Sequence, residues 1–150
     1  MNKETAQFWE RYKKETELYN NVKVAAWQFG VDPDTLAKLV VKGIKTGTCS
    51  WHRAYEIENE VLPEAGQYDI VLNSKDEPVA IIRNMKVEVV RMNKVDETFA
   101  ISEGEGDRTY QYWWDTHVEF FNEQAKHYNE TFSTDDYLVC ETFEVVKVNE

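Results

Sequence analysis

The stretch from Tyr68 to Met92 places the tightest limit on how this chain can fold. Tyr68, Ile70 and Leu72 alternate with Asp69 and Asn73, Asp76-Glu77-Pro78 turns the chain, and Val79–Met92 follows, dense in Val and Ile. Period-two alternation sends successive side chains to opposite faces, and β-branched residues favour a pleated surface. The spacing predicts an antiparallel hairpin. A second alternating run, Tyr137–Val148, sets Leu138, Cys140 and Thr142 against Val139, Glu141 and Phe143, and predicts a closing strand.

Helical patterns surround these strands. From Lys3 to about Tyr19 the chain is charged, with Phe8, Tyr12 and Tyr19 on one stripe, which predicts a packing helix broken by Asn20-Asn21. After the apolar stretch Val22–Phe29, Gly30 and Asp32-Pro33-Asp34 supply stop and start signals. Leu36, Leu39 and Val40 then repeat at helical spacing up to Gly43, whose missing Cβ suits a left-handed helix exit. Glu58–Gly66 reads as a loop. Tyr110, Trp113, Trp114, His117, Phe120, Phe121 and Gln124 share a broad face of a long helix, with Asp107 placed as its N-cap. The sum is an α+β class chain, helices flanking a mainly antiparallel sheet able to curl into a barrel.

A chain of 150 residues with scarce Gly and Pro, no repeat and no low-complexity linker implies one core. Cys49 and Cys140 lack CxxC spacing, the N-terminus lacks the apolar stretch of a signal peptide, and no run approaches a membrane span. These features predict a cytoplasmic protein with reduced thiols and no membrane partner. The formal charge of −11 opposes generic adhesion to phosphate backbones. Between Asp34 and Glu56, however, no acidic residue occurs while Lys38, Lys42, Lys45 and Arg53 do, which marks either a local anion-friendly face or a solvated helix face.

Gly43-Ile-Lys-Thr-Gly-Thr-Cys-Ser50 puts an amine, three hydroxyls and a thiol on eight residues, with Gly47 offering a close backbone approach to a ligand. Lys45 and Thr48 converge if this segment is a turn and separate if it is a regular strand. It is not a phosphate loop, since the GxxxxGK[ST] order is absent. HExxH, GxSxG, a dinucleotide glycine fingerprint and a Cys/His cluster at zinc spacing are all missing, and His52, His117 and His127 are scattered. No metal or cofactor is expected. Glu103, Glu105 and Asp107 form a glycine-spaced acidic loop, either holding a catalytic carboxylate or simply capping the next helix. His117, one turn from Trp113 and Phe121, reads as a core-edge histidine bonded to backbone. Glu141, inside an apolar strand, needs a partner, for which Lys45 and Arg83 are candidates.

Taken in order, these pieces resemble the ASCH family, small RNA-associated domains of PUA-like fold. The residues carrying the resemblance are Trp27-Gln-Phe-Gly30, Leu39-Val-Val-Lys-Gly-Ile-Lys-Thr46 with Thr48 and Ser50, Leu62-Pro63 with Gly66-Gln-Tyr68, and Pro78 with Ile81-Ile82. Further on they are Val95-Asp96, Phe99-Ala100, Glu103-Gly-Glu-Gly-Asp107, Trp114, His117, Phe120-Phe121, and Glu141 with Phe143. The resemblance spans about Trp27 to Val148 and implies a PUA-like β-barrel flanked by helices, read as a domain of residues 27–150. Residues 1–26 lie outside the resemblance and are expected, from their helical stripe, to be an extension packed on it.

Some bacterial relatives with a similar lysine motif remove the acetyl group from 4-acetylcytidine using a lysine, a threonine and a glutamate. By motif position these roles fall on Lys45, Thr48 and Glu103, with Glu105 the rival for Glu103. The resemblance therefore implies an amidohydrolase acting on a small-molecule nucleoside, the alternative being a module that binds single-stranded RNA with or without cleaving it. Thr48 would attack the acyl carbonyl, Lys45 take its proton and Glu103 protonate the leaving amine. This needs a neutral lysine. If Lys45 stays charged, it stabilises the oxyanion instead and the glutamate acts as base. Ser50, Trp51, Tyr55, Arg83, Glu105 and Glu141 complete the expected substrate-binding set, with Trp51 and Tyr55 either stacking on a pyrimidine or packing in the core.

Overall fold

The computed structural model describes residues 1–18 and 21–150. The expected hairpin is its centre: β3 (Tyr68–Leu72) pairs antiparallel with β4 (Pro78–Arg91), Ile70 opposite Ile81. β5 (Tyr137–Val148) lies antiparallel along the length of β4, β2 (Gly47–Trp51) antiparallel on β5, and β1 (Val24–Gln28) parallel on β3. The order β1-β3-β4-β5-β2 makes a mixed, mainly antiparallel half-barrel with β1 and β2 as its edges, flanked by helices as an α+β fold. Register shifts between Ile81 and Ile82 and between Asn84 and Lys86 mark irregular pairing in β4. Such bulges bend a strand and let a sheet curl.

Both faces of the sheet are covered, which is why Val71 and its neighbours Ile70 and Leu72 are all buried. Helix α1 (Lys3–Glu15) packs Phe8, Trp9 and Tyr12 against Ile70, Leu72 and Ile81. Helix α2 (Pro33–Val41) sets Leu36, Ala37 and Val40 against Val71, Ile82 and Phe143. Helix α5 (Tyr110–His127) buries Trp113, Phe121 and Ala125 against Trp51, Leu138 and Cys140. Alternation in β5 is accordingly incomplete: Leu138, Val139, Cys140 and Glu141 are all buried, because helices cover both faces there.

Several local expectations shift. Helix α1 stops at Glu15, with Glu17 left-handed, rather than running to Tyr19; Tyr19 and Asn20 lie outside the described residues. Two short helices were not legible as such, α3 (His52–Glu58) and α4 (Glu97–Ser102), the latter capped by Asp96 accepting from the Phe99 N–H. Asp107 does not cap α5. Thr109 does, accepting from the Tyr112 N–H, while Asp107 accepts from the N–H and hydroxyl of Thr109 and so braces the cap from outside. The exit of α2 follows expectation: Gly43 sits at φ 74°, its N–H donating to the Val40 carbonyl and the Ile44 N–H to that of Leu39. This paired closure of a helix end fixes the direction in which the chain leaves. Among the described residues, no helix is long and apolar enough to cross a membrane.

Candidate functional site

The end of α2 delivers Lys45 into the protein interior. Its own N–H also donates to the Leu39 carbonyl, the Thr46 N–H donates to Ser102, and the Thr46 carbonyl accepts from Phe143. Held between α4 and β5, the segment has no freedom to carry Lys45 outward, and the residue is 1% exposed. Its Nζ lies 2.9 Å from the Gly47 carbonyl, 3.3 Å from the Glu103 carbonyl, 3.2 Å from Glu103 Oε1 and 3.0 Å from Glu105 Oε2. The Phe29 ring centroid is 5.2 Å away. Burial by itself lowers the lysine pKa, yet the two carboxylates outweigh it and the value is raised, so Lys45 is an ammonium ion.

Glu103 and Glu105 reach Lys45 because the chain reverses at Gly104 (φ 71°), where a Cβ would stand 2.6 Å from the Ile44 carbonyl oxygen. Only glycine fits that approach. Glu103, 2% exposed, is saturated: beyond Lys45 on Oε1, its Oε2 accepts from the Trp113 indole N–H and lies 3.1 Å from Cys49 Sγ and 3.3 Å from His117 Nε2. Burial pushes its carboxyl up, but Lys45 and His117 pull harder and hold it down to about 2. His117 Nδ1 lies 2.7 Å from the Trp113 carbonyl, to which it can only donate, so Nε2 is the nitrogen turned to Glu103. Burial lowers the imidazole and Glu103 raises it, with a net rise. The thiol of Cys49 is pushed well up by burial and by the adjacent carboxylate.

These groups line a cleft of about 250 Å³ together with Thr48, Phe29, Tyr112, Thr116 and Phe120. That is slightly below the ~300–1,000 Å³ of clefts that take drug-sized ligands. Thr48 and Cys49 are neighbours on the edge strand β2, yet both border the cleft. Lys45, Thr48, Glu103 and Glu105 are thus brought together.

The remaining sequence candidates lie elsewhere. Trp51 is 1% exposed, edge-on to Phe132 and bonded to Asp136, so neither ring face is available for stacking. Ser50 and Tyr55 bond each other at 2.9 Å and do not line the cleft. Arg83 is exposed over the Tyr68 ring. Glu141 takes its hydrogen bond from Asn84 at 2.9 Å, not from Lys45 or Arg83, and burial lifts its carboxyl to about 7. Gly47 packs against Ser102 and Phe99 and does not line the cleft: a Cβ there would meet Ser102 Oγ at 2.5 Å. Nor do the basic residues form one face, since Lys45 is buried and Arg53 is paired with Glu130 at 2.7 Å. Trp113, His117 and Cys49 were missed as site residues. The four-residue spacing of Trp113 and His117 did place them on one helix face, but nothing local shows that Glu103 folds back beneath it.

The ASCH domain family model matches residues 25–147. The chain belongs to the ASCH domain family. Its fold is shared with the protein EF3133 from Enterococcus faecalis V583, at 41% identity and a TM-score of 0.88, covering 99% of this chain and 96% of that one. It is equally shared with the ASCH domain from Lactobacillus crispatus JV V101, at 31% identity and a TM-score of 0.89, covering 97% and 96%. No curated protein matches this ASCH protein significantly. Membership in the ASCH family is consistent with nucleic acid or nucleoside binding.

Proposed function

We propose that this ASCH protein is an amidohydrolase that deacylates a small acylated nucleoside such as 4-acetylcytidine. The observation that carries the reading is the ammonium of Lys45 fixed by Glu103 and Glu105 at a cleft that Thr48 also lines. A cleft of this size, walled by Phe29, Tyr112 and Phe120, suits one planar base better than a polymer. The acidic chain likewise favours a substrate without phosphates.

The charge of Lys45 favours the second of the two mechanisms open at the level of sequence. An ammonium cannot take the Thr48 proton, so Lys45 supplies the positive charge that stabilises the developing oxyanion. Glu103, held strongly acidic and saturated with donors, is a poor base and serves to position Lys45. The proton acceptor is Glu105, the more exposed of the two carboxylates. Thr48 Oγ bonds to the acyl carbon as its proton passes to Glu105, which returns it to the amine nitrogen as the C–N bond breaks. Water, deprotonated by the same carboxylate, then bonds to the acyl carbon, and the carboxylate returns that proton to Thr48 Oγ as the acyl C–O bond breaks and the acid leaves.

The test is incubation of the purified full chain with 4-acetylcytidine, following cytidine chromatographically. Cytidine release that disappears in Thr48→Ala, with the circular dichroism spectrum and melting curve retained, supports the reading. No release at high enzyme concentration, or undiminished release by Thr48→Ala, overturns it and leaves the RNA-binding module, which salt-dependent affinity for single-stranded RNA would reveal.

A further inference from the structure

Three side chains at the inner wall of the cleft form a donor set of a different kind. Cys49 Sγ, Glu103 Oε2 and His117 Nε2 lie within 4.8 Å of one another, the oxygen 3.1 Å from the sulfur and 3.3 Å from the nitrogen. Tetrahedral zinc with bonds of roughly 2.0–2.3 Å spaces its ligand atoms about 3.3–3.8 Å apart, so a small rotation of Cys49 and His117 would admit an ion. The imidazole is already oriented as a ligand: Nδ1 donates to the Trp113 carbonyl, which fixes the ring and turns Nε2 inward. Metal-bound histidines are commonly held by such a hydrogen bond on the second nitrogen. The Trp113 indole N–H orients Glu103 in the same manner.

We propose that Cys49, Glu103 and His117 form a three-ligand site for a thiophilic divalent transition metal, Zn²⁺ being the natural occupant, with its fourth position reached from the cleft. The inference stands independently of the deacylation reading. A thiolate, an imidazole and a single carboxylate select zinc-type ions over Mg²⁺ or Ca²⁺, which require oxygen donors. Lys45 is no obstacle. It holds Glu103 by the other oxygen, Oε1, and is balanced by Glu105. With Zn²⁺ bound, the metal and Lys45 face Glu103, Glu105 and the Cys49 thiolate. These charges balance, and uptake of the ion releases the Cys49 Sγ proton.

The experiment is titration of the chelator-treated full chain with Co²⁺ and, separately, with Zn²⁺ in competition. The expected result is one equivalent of Co²⁺ per chain with a near-ultraviolet thiolate-to-cobalt band, displaced by Zn²⁺. Cys49→Ser should abolish the band and His117→Gln should weaken affinity at least about tenfold. Cys140→Ser should leave both unchanged, since Cys140 is not among the converging groups. Wild-type protein that binds no cobalt, or binds it without the thiolate band, overturns the proposal whatever the variants do. A band lost equally in Cys140→Ser also overturns the assignment.

Discussion

The ammonium of Lys45 and the carboxylate of Glu103 meet at 3.2 Å with both side chains almost closed to solvent. A buried pair contributes little net stability over an apolar replacement, but removal of one partner strands the other, at a cost of about 3–5 kcal/mol. Lys45→Met should therefore lower unfolding free energy by roughly that amount in urea titrations. Adding Glu103→Gln should recover a substantial part of the loss. A double variant as unstable as the sum of the two singles would show that the pair is not coupled.

Thr48 is half-buried on an edge strand, so its hydroxyl can be removed without opening the core. Thr48→Ala should change stability by less than about 1 kcal/mol, as is usual away from a packed core. Its deacylation rate should fall by at least about a hundredfold. Glu105→Gln should be nearly as inactive while remaining folded. Denaturant midpoints and initial rates on the same preparations separate the two effects.

Gly104 carries the acidic loop back onto Lys45 with a positive φ and backbone contact to Ile44. Gly104→Ala meets both strain and collision, and should destabilise the chain by more than about 2 kcal/mol. Gly43→Ala, also at positive φ but with nothing near its Cβ, should cost only about 1 kcal/mol. Melting temperatures of the two variants, measured side by side, check the order.

Glu141 and Asp69 share a buried polar patch that the proposed mechanism does not use. Burial lifts Glu141 to about 7 against Asn84's hydrogen bond, and Asp69 to about 6 against those from Trp27 and Gln67. Raised carboxyls bind more protons folded than unfolded, so their contribution to stability is complete below about pH 4 and lost as pH rises through 6 to 7. Glu141→Gln mimics the protonated form and can still accept from Asn84. At pH 8 it should be more stable than the parent by roughly 1–3 kcal/mol, with the gain vanishing near pH 4. Denaturant titrations across that range would show an unchanged difference if Glu141 were not protonated in the fold.

Much of this protein is legible in local pattern. The hairpin, the closing strand, the α2 exit at Gly43 and the broad face of α5 follow from periodicity and from single-residue backbone preferences, which act over a few residues. The motif order also brought Lys45, Thr48, Glu103 and Glu105 into one site. What local pattern cannot carry is the direction a polar side chain takes once packed. Trp51 and Tyr55 stand beside the motif in sequence, but Trp51 packs on Phe132 and bonds Asp136 while Tyr55 bonds Ser50, so neither lines the cleft. Glu141 finds Asn84 because β4 and β5 place them together across a bulged register. Tertiary structure alone decided that Lys45 stays charged, because its state depends on burial competing with two carboxylates some sixty residues away in the chain. It alone also gathered Cys49, Glu103 and His117, drawn from a strand, a turn and a helix whose packing no spacing in the sequence records.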